Sequence, residues 1–155
     1  MRMNNNKQLL LKYLTSQNFM SVATYNKHLW AASVYYVVDK DFNLYFISQP
    51  DTEHCQDILK NSEVACTIAD SRQKVTAKKI GVQLYGTAKQ LTVIEKLKWM
   101  LAFWNRMNPG VASVINLKNI QNKVIKSRAY QIIPKKIKWF NEELYGSEGV
   151  EVFEF

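Results

Sequence analysis

Nine consecutive residues, 30–38 (WAASVYYVV), constrain this chain more than any other part of it. Alternate side chains of a strand point to opposite faces. Here both sets, Trp30, Ala32, Val34, Tyr36 and Val38 on one face and Ala31, Ser33, Tyr35 and Val37 on the other, are apolar or aromatic apart from Ser33. The run therefore predicts a strand buried on both sides, or covered on one side by core and on the other by a ligand or second subunit.

The flanking pattern extends this strand into a sheet. Residues 19–25 read as a strand, joined to 30–38 by a turn at Asn26, Lys27 and His28. Asp39, Lys40 and Asp41 then supply turn chemistry before a strand at 42–48, which makes a hairpin. A strand is expected at 64–69, and another at 80–91 alternates Val82, Leu84 and Ala88 with Gln83, Tyr85, Thr87 and Lys89. Residues 129–133, 136–140 and 150–155 read as late strands, and the basic stretch 70–79 as an exposed loop.

Between these the period becomes helical. Leu9, Leu10, Tyr13 and Leu14 predict an amphipathic helix over 7–16 behind an Asn-rich start that can cap it. Asp51 or Thr52 can cap a helix to about residue 61, with Cys55, Ile58 and Leu59 toward the core. Thr92 and Glu95 have the spacing of a capping box for a helix to about residue 106. Its stripe of Val93, Leu97, Met100, Leu101 and Trp104 is widened by Ile94, Trp99 and Phe103, so it can pack on both a barrel and another subunit. A short helix is expected at 111–117. The order predicts an α+β, mainly β protein: an antiparallel β-barrel with peripheral helices, in one domain spanning residues 1–155.

Composition excludes several classes. At 47% hydrophobic residues, with 5 Gly and 3 Pro, the chain has enough apolar surface for a core and no disordered or collagenous character. No stretch approaches the roughly 18 apolar residues of a membrane span, and the polar residues 1–7 are not followed by a secretory core. Cys55 and Cys66, eleven positions apart, indicate neither a disulfide framework nor a zinc cluster, and a reduced, cytoplasmic protein is expected. The net charge of +8 is uneven: residues 139–155 hold five glutamates and no Lys or Arg, leaving 21 basic and 8 acidic side chains, a balance of +13, in residues 1–138. An anionic ligand, a tail folded back on the basic body or on a partner, and a plain solvated cationic surface would each account for that.

Catalytic signatures are scarce. There is no G-x-G-x-x-G, P-loop or G-x-S-x-G sequence. His28 and His54 are the only histidines, without metal-ligand spacing, and Cys55 and His54 as helix neighbours are expected to point apart. The richest stretch is Ser48-Gln49-Pro50-Asp51-Thr52-Glu53-His54, which carries two hydroxyls and an imidazole from a strand end into a helix N-terminus. Unpaired amides there can hold a phosphate, although helix capping explains the same residues and Asp51 and Glu53 would repel an anion.

Taken in order, residues 30–38, Leu44-Tyr45-Phe46-Ile47-Ser48, Asp51-Thr52-Glu53-His54, Asp57-Ile58-Leu59, Asn61-Ser62-Glu63-Val64-Ala65 and Gly81-Val82-Gln83-Leu84-Tyr85-Gly86-Thr87-Ala88 resemble the flavin-binding split barrels related to pyridoxamine 5′-phosphate oxidase. The resemblance covers residues 7–106 and is strongest to small members of that superfamily. It implies an antiparallel split β-barrel, a homodimer and FMN at the subunit interface. Ala32, Ser33 and Val34 would lie against the flavin ring, Ile47 and Ser48 along the ribityl and phosphate side, and Thr52 and His54 at the phosphate. His54 stands where Lys or Arg is usual, which implies weaker or pH-dependent phosphate binding, because histidine is only partly charged near neutrality. Gln83 either meets the flavin edge or simply faces solvent.

Residues 146–155 contain neither member of the Arg-x-His pair that binds substrate in the oxidase, so the resemblance implies a flavin-dependent oxidoreductase acting on another small molecule. No acid, base or nucleophile is required of a protein whose flavin carries the chemistry. Two other readings remain at this level: a non-catalytic basic barrel binding single-stranded nucleic acid through aromatic and lysine side chains, and a split barrel holding heme or a deazaflavin.

Overall fold

The computed structural model describes residues 4–123 and 125–155; residues 1–3, part of the polar start read as lacking a secretory core, and residue 124 lie outside the described residues. The elements are α1 (Asn5–Ser16), β1 (Phe19–Tyr25), β2 (Leu29–Val38), β3 (Leu44–Ser48), α2 (Glu53–Lys60), β4 (Glu63–Ile68), β5 (Ile80–Gln90), α3 (Ile94–Met107), α4 (Leu117–Gln121), β6 (Arg128–Asn141), α5 (Glu142–Tyr145) and β7 (Val150–Glu154). The strands pair in the order β3-β2-β1-β4-β5-β6-β7, all antiparallel, and a β3–β6 pairing closes the first six into a barrel with β7 laid outside on β6. This is the expected α+β split barrel with peripheral helices. Among the described residues no helix is long and apolar enough to cross a membrane.

β6 changes neighbours along its length: Arg128–Ile132 pair with β3, and Lys136–Phe140 pair with β7. The sequence reading split this strand at Pro134, which lacks a ladder donor. The structure runs through it with a register shift opposite Tyr85 and Gly86, where the irregular pairing accommodates proline. Gly86 is required there, because a Cβ would lie 2.1 Å from the carbonyl oxygen of Ile133.

Two apolar clusters hold the fold. The first fills the barrel with Val22, Val34, Tyr36, Phe46, Ile132 and Ile137, plugged by Leu10 and Leu14 of α1 and by Cys55 and Ile58 of α2. The second lies outside, where Leu97, Met100, Leu101 and Trp104 of α3 cover Val37, Tyr45 and Ala129. This resolves the two-faced run. From Tyr36 to Val38 the strand is buried on both sides, by core and by α3, whereas Leu29, Ala31, Ser33 and Tyr35 stay exposed on its outer face.

Local expectations fare unevenly. Asn4 caps α1 by accepting from the amide of Asn6. The capping box does not form: α3 starts at Ile94 behind Val93, which puts Thr92 one residue too early to cap and leaves Glu95 to meet Lys98 at 3.5 Å. The short helix falls at Leu117–Gln121 instead of 111–117, because Asn116 accepts from the amide of Asn119 and starts the helix there. Phe42 belongs to the turn, at φ 67°, and not to the strand. The acidic tail folds back on its own chain: Glu154 meets Lys136 at 3.1 Å, and Glu151 accepts from Asn6 and from the Tyr145 hydroxyl.

Candidate functional site

The end of β3 and the start of α2 meet at one mouth of the barrel. Pro50 and Asp51 break the strand, and the chain re-enters as α2 with Thr52 at the cap position. Thr52 does not cap with its side chain; its hydroxyl donates to the Gln49 carbonyl at 2.8 Å, which leaves the helix N-terminus without a side-chain acceptor. α2 is pinned from its other side by Thr24 of β1, whose buried hydroxyl donates to Asp57 at 2.7 Å.

Three of the expected phosphate-side residues converge here. Ser48 Oγ and His54 Nε2 are 2.8 Å apart, and Thr52 Oγ1 is 3.4 Å from the same nitrogen. His54 is buried, with its ring 6.2 Å from that of Phe46. Phe46 in turn stacks on Tyr130 at 5.0 Å.

The other expected residues divide by strand parity. Ile47 points away from Ser48 and packs on the α3 cluster, so only its backbone borders the mouth. Ala32 and Val34 face the barrel core, whereas Ser33 is exposed on the outside. Gln83 is also exposed, in one lateral row with Ser33, Ser21 and Thr67, three strands from Ser33, or about 14 Å at ordinary strand spacing. Within one chain Gln83 and the Ser48 cluster are not brought together.

Three residues not singled out in the sequence for this site belong to its surroundings. Cys55, fully buried, packs into the barrel core next to its helix neighbour His54, whose ring meets Ser48 and Thr52. Burial pushes the Cys55 thiol up, but polar contacts with His54, Thr52 and Tyr130 outweigh it and hold the thiol below its ordinary value. Tyr130, fully buried, is pushed well above the ordinary phenol range by burial first and by Cys55 second. Its hydroxyl has the Cys55 thiol as its polar neighbour and makes no hydrogen bond of ordinary geometry. Arg128 stands opposite Ser48 across the β3–β6 pairing. Only a pairing between strands eighty residues apart could have revealed the last two.

Clefts open elsewhere on the chain. One of about 310 Å³ lies between the end of α1 and β2, lined by Leu14, Tyr36 and Asn108 among others, and one of about 410 Å³ lies under Trp99, Phe103 and Arg106. A shallower one of about 210 Å³ is bordered by Gln83, Tyr85, Lys136 and Lys138. Among the described residues no three His, Cys, Asp or Glu side chains are grouped to hold a metal.

Comparison with known proteins fits this architecture. The family model described as pyridoxamine 5′-phosphate oxidase matches residues 7–137. No curated protein matches the chain significantly. Among solved structures, a heme binding protein from Mycobacterium smegmatis is 15% identical with a TM-score of 0.74, covering 99% of this chain, which spans only 60% of that one. A protein from Clostridium acetobutylicum related to general stress protein 26 of B. subtilis, of the pyridoxinephosphate oxidase family, is 12% identical with a TM-score of 0.64 over 99% of this chain and 97% of its own. HutZ, the heme storage protein from Vibrio cholerae, is 9% identical with a TM-score of 0.66 over 99% and 95%. These similarities are of fold, whereas the family match runs through most of the sequence. The chain belongs to the pyridoxamine 5′-phosphate oxidase family.

Proposed function

We propose that the chain is an FMN-binding flavoprotein, an oxidoreductase acting on a small molecule, which works as a cytoplasmic homodimer with the flavin between its subunits. The observation that carries this reading is the convergence of Ser48, Thr52 and His54 at a helix N-terminus that no side chain caps. Helix amides and hydroxyls are a suitable setting for a phosphate. A second support is the outer face of β1, β2 and β5, where Phe19, Tyr25, Leu29, Tyr35 and Tyr85 are all more than 45% exposed. An apolar face of this kind is suited to a partner subunit and to one side of a flat ring.

In this reading bound FMN supplies the electron-transfer chemistry. Ser48, Thr52 and His54 hold its phosphate, the backbone of Ala32 to Val34 runs along the ring, and Gln83 serves the ring edge of the site in the partner subunit. Two buried free cysteines accord with a reducing compartment.

Heme is the second reading, favoured by the two structural neighbours described as heme proteins. Titration of the purified protein with FMN, hemin and a single-stranded oligonucleotide decides among the alternatives. Quenching of FMN fluorescence with micromolar affinity is the expected result. A Soret band with hemin and no FMN quenching would replace flavin by heme, and salt-sensitive oligonucleotide binding alone would replace both.

A further inference from the structure

We infer that Arg128 is the fixed cation of an anion site at the mouth of the barrel, where its guanidinium holds the phosphate of a flavin nucleotide beside Ser48 and His54. The inference rests on the flavin reading for the ligand's identity and on geometry for the site. β3 and β6 run antiparallel with Ser48 directly opposite Arg128. Side chains opposite each other in such a pair share a face, with Cβ atoms about 5 Å apart. The next pair on that face, Phe46 and Tyr130, stacks with its planes 10° apart inside the barrel, so Ser48 and Arg128 occupy its mouth. Ser48 in turn meets His54 at 2.8 Å, which links Arg128 to the first turn of α2.

The guanidinium is positioned but not neutralised. Its Nη1 donates to the carbonyls of Ile125, Lys126 and Ser127 at 3.3, 3.1 and 2.8 Å. All three bonds use one nitrogen, which fixes the fork while Nε and Nη2 keep their protons for another acceptor. The ion pairs among the described residues are Lys98–Glu95, Lys135–Glu63 and Lys136–Glu154, so no carboxylate faces Arg128. Asp51 and Glu53, the nearest acids in sequence to the helix start, are exposed. A half-buried cation without a counter-ion is an unfinished arrangement, because charges taken from water are ordinarily paired.

A second group beside it is also unfinished. The hydroxyl of Tyr130, fully buried two residues along the same face, makes no hydrogen bond of ordinary geometry, has the Cys55 thiol as its polar neighbour and feels the charge of Arg128. Together with the uncapped start of α2, the mouth holds a planar cation, the Ser48 hydroxyl and helix amides. A tetrahedral oxyanion answers all of them: it accepts two parallel bonds from a guanidinium fork and further bonds from a hydroxyl and amides. A lysine at this place could not make the fork.

The test compares FMN with riboflavin, which lacks only the phosphate, by flavin fluorescence on the wild-type protein, Arg128→Gln and Arg128→Lys. Arg128→Gln is expected to weaken FMN about tenfold or more, in the range of a lost charge-assisted pair, and riboflavin less than about twofold. Arg128→Lys should fall between for FMN. Equal weakening of both flavins, or unchanged FMN affinity in Arg128→Gln, overturns the inference. If the wild-type protein binds neither flavin, the flavin reading fails and the anion site is read separately with inorganic phosphate exchanged for chloride at constant ionic strength. Phosphate should then raise the Tm of the wild-type protein and not that of Arg128→Gln; equal shifts, or none, overturn the site as well. Melting without ligand reports how far each variant disturbs residues 125–127. If Arg128→Gln does not fold, the selective loss of FMN in Arg128→Lys decides.

Discussion

The hydroxyl of Thr24 in β1 donates a 2.7 Å hydrogen bond to the carboxylate of Asp57 in α2, and both residues are at most 3% exposed. Together with the Ser48–His54 contact, this bond holds the helix that carries His54 against the barrel wall. Removing the donor strands a buried carboxylate. Thr24→Val is expected to destabilise by about 2–3 kcal/mol, the range for a hydrogen bond to a charged group. Adding Asp57→Leu should restore part of the loss, since no charge is then left unpartnered. Urea denaturation of the single and double variants measures both.

Gly86 and Gly81 should respond differently to the same added methyl. At Gly86 a Cβ would meet backbone, 2.1 Å from the Ile133 oxygen, and the strand crossing cannot yield. Gly86→Ala is expected to cost about 3 kcal/mol or more, as overpacking of this kind does. At Gly81 the obstacle is the ring tip of half-buried Phe140 at 2.5 Å, which can swing aside. Gly81→Ala should cost less, and a thermal melt of both variants ranks them.

Alkaline pH should weaken the fold through Cys66. Burial raises its thiol to about 12, so the folded state keeps a proton that the unfolded chain releases near pH 9. The sign follows: this contribution is complete below the unfolded value and falls away as pH rises toward the folded one, at about 1.4 kcal/mol per pH unit. Tyr36 and Tyr45, both raised by burial, act in the same direction. Melting of the wild-type protein from about pH 8 to about pH 11 should show a declining Tm. In Cys66→Val the decline should be shallower.

The exposed row on β1 and β2 predicts an association that one substitution can break. Phe19 and Tyr35 stack at 5.0 Å with Tyr35 61% exposed, and Leu29 nearby is 80% exposed. Tyr35→Glu places a charge in the centre of that face. Light scattering should give a dimer for the wild-type protein and a monomer for the variant, with FMN affinity lost alongside. A monomeric wild-type protein that still binds FMN would remove the interface from the site.

Much of the barrel was legible because strands declare themselves locally. The alternation of Val82, Leu84 and Ala88 places β5, and the turn chemistry at Asp39 closes the hairpin, where Asp39 accepts from the amides of Asp41 and Asn43 at 2.8 and 2.9 Å. Helix starts were less legible because a cap depends on one residue of offset, as Thr92 and Asn116 illustrate. The Ser48–Thr52–His54 cluster was readable because strand end and helix start are contiguous in sequence. Arg128 and Tyr130 were not: their place opposite Ser48 and Phe46 follows from the closing pair of the barrel, and local periodicity carries no information about which distant strand closes it.

β7 is the one strand of the sheet with a single neighbour, and it occupies the flank of β6 that β3 leaves bare at Lys136–Phe140. Its exposed face carries Val150, Val152 and Glu154, the last paired with Lys136, so a charge stands at the end of an otherwise apolar edge. A charge on an edge strand works against the addition of foreign strands. Without β7 the sheet would present the unsatisfied amides of β6 beside Ile137 and Trp139, and the chain would gain a template for self-association through its backbone. The acidic tail thus covers the backbone of β6 where the closing strand of the barrel does not reach, whatever the barrel binds.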